Sequence, residues 1–316
     1  MMLEERELMK TCGTTTRLLL IVSLLTIVFT SACSAPKPGT YKTPEEAVRA
    51  FGSLLGVGTT DQYEVMFGPG ALETLLSGDE TADHEDALRI KQMIQEKISF
   101  MDVGEHKVAL VGEDEWSFPI PLIMEEDRWR FDMAEGREEL LNRRIGRNEL
   151  FALASLREYV EAQKEYASEG RDGKPPAFAQ TFRSSEGLHD GLYWPTAEGE
   201  PLSPLGDLLA IATKEGYTLA EGEGPEPFHG YYFRILTGQG PNGAGGARSY
   251  LDKNGLMTGG FAVIAWPAKY GNSGIMTFQV DRRRIVFQKD LGPDTESIVK
   301  GIQVYDPDDT WDPTGD

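Results

Sequence analysis

Three cations fall within five residues in Asn142-Arg143-Arg144-Ile145-Gly146-Arg147-Asn148, in a chain whose formal net charge is −20. If the segment is helical, Arg143 and Arg147 share a face and Arg144 sits beside them. Guanidinium forks suit bidentate pairing with carboxylate or phosphate. The cluster has two readings: it pairs with Asp and Glu from both sides of a domain joint and locks it, or it holds an anionic ligand or partner there. A second group is aromatic. Tyr193 and Trp194, Tyr231 and Tyr232, and Trp266 read either as a platform for glycan or peptide or as core and edge packing of strands.

Oxygen ligands form a third group. Asp306, Asp308, Asp309 and Asp312 crowd the C-terminus, and Asp172 stands in Arg171-Asp172-Gly173. Carboxylates and carbonyls suit Ca²⁺. The second of these lacks a full D-x-D-x-D-G loop, and the first reads as easily as a solvated acidic tail.

Spacing argues against other chemistry. His84, His106, His189 and His229 are the only histidines. None forms HxH or HxxxH, so a histidine metal centre has to be assembled from distant positions. His189-Asp190 and His229 at least fall in the same half. Gly238-Gln239-Gly240-Pro241-Asn242-Gly243 fits G-x-G-x-x-G by letter, but Pro241 and the following GAGGAR make it a loop between strands. Phosphate binding needs a helix to start there. No G-x-S-x-G string is present, and that string carries the serine nucleophile in the α/β-hydrolases. The expectation is a non-enzymatic protein without a cofactor.

The elements that must position these residues centre on the stretch 135–166, EGREELLNRRIGRNELFALASLREYVEAQKEY, which contains no proline. At about 1.5 Å per residue it predicts a helix on the order of 45 Å long. Leu141, Ile145, Ala152, Leu156, Tyr159, Val160 and Tyr166 form its apolar stripe, and Gly146 marks a kink. It thus reads as a basic hinge at 143–147 followed by a packing helix from Asn148.

Before it, Thr43-Pro44-Glu45-Glu46 has the hydroxyl cap, first-turn proline and acids of a helix start. Ala47, Val48, Phe51, Leu54 and Leu55 give one apolar face. Two short helices follow, at Tyr63 to Phe67 and Ala71 to Leu76, then a longer one from Leu88 to Ile98. Strands succeed them in HKVALVG, EWSFPIPLIM and DRWRFDM, with Pro119 and Pro121 signalling an edge or bulge. After the long helix come Gly/Pro loops, a short helix in LLAIATKEG and four strand runs: HGYYFRILTG, GGFAVIAWPAKYG, SGIMTFQVD and RRIVFQKDLG. Ile298, Val299, Ile302 and Tyr305 dock a last helix.

At the N-terminus, Arg17 precedes LLLIVSLLTIVFT and then Ser31-Ala32-Cys33. A charged region, an apolar run and small residues read as an export signal. The run falls short of the roughly twenty apolar residues that span a membrane. Thr-Ser-Ala-Cys resembles a lipobox, which implies that Cys33 is lipidated and becomes the mature N-terminus. Met9 followed by Lys10 makes a better start than the acidic MMLEEREL. Ser34, in place of aspartate, permits outer-membrane sorting. Cys12 and Cys33 are the only cysteines, so the exported part has no disulfide or thiol nucleophile. The charge of −20 disfavours nucleic acid and adsorption to anionic lipid.

From about residue 43 to 311, the strings GREELLNRRIGRNEL, GLYWP, HGYYFRILT and MTFQVDRRRIVFQKDLGPDT identify the chain as a member of a bacterial envelope family, domain of unknown function 2950. That resemblance implies secretion and carries no established activity. TPEEAVRAF and the RWRFD strand resemble the nuclear-transport-factor-2-like (NTF2-like) fold, an α+β cone that often holds a pocket between sheet and helices. RNELFALASLREYVEAQKEYASE with GYYFRI, FAVIAWP and GNSGIMTFQVDRRRIVFQKDLG is similar to the globular head of type IV pilins and pseudopilins. The pilin's hydrophobic N-terminal half-helix is absent, so assembly by that bundle mechanism is not expected.

The expected organisation is α+β: signal 1–32, tether 33–43, NTF2-like cone 44–134, pilin-head-like domain 135–305 and acidic tail 306–316. The expected function is an exported, lipid-anchored envelope protein, on the periplasmic face of the outer membrane in a Gram-negative cell. It binds an envelope protein partner or serves an assembly as scaffold. The alternatives are a small-ligand or glycan binder using the N-terminal pocket or the domain junction and, third, a hydrolase. Replacing Cys33 by Ser is expected to move the protein from the membrane to the soluble fraction. Unchanged fractionation would remove the anchor.

Overall fold

Local sequence signals set most of the first half. The computed structural model describes residues 39–197, 199–214, 217 and 226–315. The signal, Cys33 and the start of the tether lie outside the described residues. From Gly39 onward the chain is already part of the fold. Tyr41 and Trp129 exchange backbone hydrogen bonds of 2.7 and 2.8 Å, and the Arg128 side chain donates to Thr40. Residues 39–43 are therefore docked rather than tether.

Helix α1 (Pro44–Leu54) starts where Thr43 Oγ1 accepts the Glu46 N–H at 3.1 Å, and it buries Ala47, Val48 and Phe51. Helices α2 (Thr60–Phe67), α3 (Ala71–Leu75) and α4 (Glu80–Glu96) follow. Strands β1 (Ile98–Val103), β2 (His106–Val111), β3 (Trp116–Ser117), β4 (Leu122–Glu125) and β5 (Arg128–Phe131) form an antiparallel sheet in the order β1-β2-β4-β5, with β3 paired to β2. Ile98 opens strand β1 rather than closing the helix, which ends at Glu96. The alternating Ile98, Phe100 and the long pairing with β2 explain the change. Pro119 and Pro121 do not lie within a strand either. Neither can donate to a ladder, and the chain leaves the sheet there to bury Phe118 and Ile120.

Helix α5 (Met133–Tyr166) is one unbroken helix of 34 residues, about 50 Å long at 1.5 Å per residue. The expected hinge at 143–147 is absent. A helical glycine costs only about 1 kcal/mol relative to alanine, and tertiary bonds from residues on both sides of Gly146 outweigh it. Near its start the helix crosses the 118–121 segment so closely that a Cβ on Gly136 would sit 2.5 Å from Ile120 Cα. Farther on, Ala152, Leu156, Tyr159, Val160 and Tyr166 are buried at three-to-four spacing, which is one helix face.

That face packs on the second sheet. After α6 (Gly206–Lys214), strands β6 (Tyr231–Leu236), β7 (Gly238–Gln239), β8 (Arg248–Ser249), β9 (Ala262–Pro267), β10 (Met276–Asp281) and β11 (Val286–Asp290) precede α7 (Thr295–Gly301) and β12 (Asp312–Pro313). The sheet order is β12-β11-β10-β9-β6, all antiparallel, and β7 pairs with β8 separately. Trp311 is buried and β12 pairs with β11, so the expected acidic tail ends as an edge strand. The architecture is α+β. One hydrophobic cluster runs from Ala47 to Phe131 and another from Ala152 to Tyr305, within a single compact unit spanning residues 36–316.

The two glycines of α5 give opposite expectations. A Cβ at Gly146 meets nothing within 4 Å, so Gly146→Ala is expected to stabilise by about 1 kcal/mol. Gly136→Ala forces a backbone clash and is expected to destabilise by about 1–3 kcal/mol. Thermal unfolding of the two variants shifting in the same direction would contradict the packing described.

Candidate functional site

Helix α3 is so short that its end is the main problem it poses. The last carbonyls of a helix have no intrahelical partner, and here those of residues 73–76 point into the protein. Two distant segments satisfy them. Asn272 Nδ2 donates to Glu73 O at 2.8 Å and Leu76 O at 3.0 Å, with Lys269 Nζ adding 3.3 Å to Glu73 O. Arg144 donates from Nη1 to Thr74 O at 2.8 Å and from Nη2 to Leu75 O at 2.5 Å. Arg144 Nη1 also donates to Asn272 Oδ1, which ties the two capping groups together. Burial pulls the Arg144 pKa down, and the Asp83 carboxylate opposes that.

The turn from α3 to α4 is equally fixed. Asp79, 1% exposed, caps α4 through Ala82 N. Its other oxygen accepts from Tyr217 OH and Gly230 N, both at 2.9 Å. Gly230 has φ +76, and a Cβ there would collide with the Asn148 amide. Asn148 Nδ2 in turn donates to Ser273 O at 2.9 Å, and Glu149 Oε1 accepts from Ile275 N and Met276 N.

The remaining arginines reach the first half. Arg147 grips Asp86 with both terminal nitrogens, at 3.3 and 2.7 Å, and Arg89 donates to the same carboxylate at 2.6 Å. Burial pushes Asp86 up, but the hydrogen bonds and charges of Arg147 and Arg89 outweigh it and hold the carboxyl below its ordinary range. Arg143 donates to Glu139 at 2.6 Å and to Ser117 O and Oγ, and lies over the Trp116 ring. Asp83 accepts Ser77 N on both oxygens. Burial raises its pKa despite those bonds and Arg144.

These groups border a cavity of about 360 Å³ between α1, α4, the 116–120 segment and α5. Phe51, Leu55, Ile90, Phe118, Ile120 and Leu140 supply an apolar wall, and Arg89, Arg143, Arg144 and Arg147 stand with Asp83 and Asp86 on the polar side. The arginine cluster read from the sequence thus lies at the junction and on this cavity. Lys269, Asn272, Asp79, Asp83 and Asp86 did not emerge from it. YGNSG reads as an ordinary turn and GDETADHED as an acidic loop; the one local signal was Asp79 as a helix cap.

The aromatic candidates fall into separate places. Tyr231 is fully buried, lies tilted against Phe278 with ring centres 5.8 Å apart and donates to Met276 O at 3.0 Å. Tyr232 and Trp266 are cross-strand neighbours with ring centres 5.6 Å apart, and Arg234 lies over Trp266. Trp194 meets His189 and Arg171 instead, while Tyr193 pairs through its backbone with residues 182–184. His189 also faces Asp172 at 3.3 Å, whereas His229 stacks on Phe151. The two histidines share no partner among these contacts. His106 contacts Asp132, the cap of α5, at 3.1 Å.

Asp306 accepts Asn242 N at 2.8 Å, Asp308 bonds Thr310, and Asp309 is exposed. Among the described residues, no group of three or more His, Cys, Asp or Glu side chains converges as a metal site would require. The Gly238 to Gly243 loop joins β7 to β8 with no helix start.

Two antiparallel sheets served by one long helix, whose arginines tie the halves together and border a cavity in the first, make this an α+β protein organised around a joint. Residues 39–314 match the model of a family described as protein of unknown function, DUF2950, and the chain belongs to that family. No curated protein and no solved structure matches it.

Arg144→Ala strands buried carbonyls and is expected to cost about 3 kcal/mol, since a hydrogen bond to a charged group contributes about 1.5–3 kcal/mol. Arg144→Lys should recover only part, because an ammonium lacks the fork. Urea unfolding checks both, and a loss below about 0.5 kcal/mol for the alanine variant, the range of an ordinary surface change, would show that the cap is dispensable.

Proposed function

We propose that this protein is a non-enzymatic envelope binding protein, exported and lipid-anchored through Cys33, that holds a small ligand in the cavity of its first half, beside the domain junction. The observation that carries this reading is the cavity itself. Its roughly 360 Å³ falls in the range of small-molecule sites, which are mainly apolar with a few placed polar groups. The walls of this one fit that description.

Binding is favoured over hydrolysis by what the carboxylates are doing. Asp86 is held by two arginines and Asp83 by Ser77, so each is committed to the fold rather than poised as a base. Helices α1 to α4 beside a five-stranded antiparallel sheet support the NTF2-like likeness of the first half. Helix α5 on the β6 to β12 sheet supports the pilin-head likeness of the second. In this reading the second half presents the pocket-bearing half to the envelope and supplies the surface for a protein partner. The lipid tether keeps both at the membrane.

The full-length Cys33→Ser chain is expected to bind the apolar fluorophore N-phenylnaphthylamine saturably, at one site per chain. Ala87 lines the cavity, and Ala87→Phe should fill it and abolish that binding without lowering the unfolding temperature by more than a few degrees. Absence of saturable binding, or equal binding by the filled variant, would remove the cavity as the site.

A further inference from the structure

We infer that the ligand of this cavity is an acidic amphiphile, a short apolar chain or ring carrying one oxyanion head; this rests on the cavity reading above. Four guanidinium groups, of Arg89, Arg143, Arg144 and Arg147, line the cavity against two carboxylates, of Asp83 and Asp86. Glu139, just outside, pairs with Arg143. The cavity therefore keeps a positive excess in a chain of net charge −20, the reverse of what its average surface would give.

Hydrogen-bonding capacity points the same way. An arginine has five N–H donors. Arg144 is committed to Thr74, Leu75 and Asn272, and Arg143 to Ser117 and Glu139. Arg147 makes two bonds to Asp86, and Arg89 makes one, to an Asp86 oxygen that Arg147 also reaches. Arg89 is thus the least committed of the four, and its side chain is 51% exposed against 48% for Arg147. These two stand where a ligand's head can meet both water and guanidinium.

Size and polarity fix the rest of the ligand. The wall of Phe51, Leu55, Ile90, Phe118 and Ile120 offers no charged group to a polar tail. A sugar would bury hydroxyls there without partners, at a cost. An apolar body fills that wall, and a head of carboxylate or phosphate type takes the forked donors of Arg89 with help from Arg147. A cationic head meets the positive excess, and a neutral head forgoes the charge-assisted bonds.

The experiment is displacement of N-phenylnaphthylamine from the full-length Cys33→Ser chain by decanoate, decyl phosphate, decanol and decyltrimethylammonium. Decanoate or decyl phosphate is expected to compete about tenfold more tightly than decanol, and their order tells a carboxylate from a phosphate head. Decyltrimethylammonium should compete least. Arg89→Gln should weaken the acid about tenfold and leave decanol unchanged, and added salt should weaken only the acid. Equal competition by decanol and acid, or an Arg89→Gln loss shared by both, overturns the acidic-ligand inference while leaving the cavity reading intact. Failure of the fluorophore to bind at all defeats the cavity reading instead.

Discussion

The end of a five-residue helix has carbonyls it cannot satisfy, and the arrangement of the whole chain follows from where their partners come from. Residues 73–76 receive their hydrogen bonds from Arg144 on α5 and from Lys269 and Asn272 in a loop of the second sheet. A buried carbonyl without a donor costs on the order of 1–3 kcal/mol, so the cap holds only in one relative placement of both halves. Asp79 repeats the logic from the next turn, with its oxygens on α4, Tyr217 and Gly230. The joint is polar and saturated, and it is specified by hydrogen-bond geometry rather than by greasy contact.

Helix α5 is what lets one joint serve two cores. Its first turns close over the Ile120 segment, and its later turns lie on β9 and β10. Between them, Arg143, Arg144 and Arg147 reach Ser117, the α3 end and Asp86 on one side, and Asn148 and Glu149 reach Ser273 and the start of β10 on the other. A helix held at so many consecutive positions has no freedom to bend at Gly146, although the glycine itself would allow it. Rigidity here is a tertiary property imposed on a permissive residue.

The same arrangement makes the cavity. The α5 arginines that lock the joint also form the polar side of the space between α1, α4 and the 116–120 segment. Burial divides the arginines. Arg144, 9% exposed, is used up by carbonyls, whereas Arg89 and Arg147 share one carboxylate, held below its ordinary pKa, and face outward. All three arginines of the cluster are engaged in the first half, Arg143 with Ser117, Arg144 with the α3 carbonyls and Arg147 with Asp86.

The sequence by itself determined the elements whose causes are local: the Thr43 cap and apolar face of α1, the proline-free run of α5, the alternation in β6, β9, β10 and β11, and the family. It also marked Arg143, Arg144 and Arg147 as a unit. Local rules erred where a distant partner decides. Gly146 stayed helical because its neighbours are anchored, and Trp311 drew the acidic tail onto a sheet edge, while Ile98 opened a strand for a nearer reason, its hairpin with β2. Lys269 and Asn272 carry no signal of their role, because each acts on carbonyls almost two hundred positions away, and Asp79 and Asp86 show none of their bonds to Tyr217, Gly230 and Arg147. A hydrogen bond is specified by position in space, and only the tertiary structure brings such groups within 3 Å of one another.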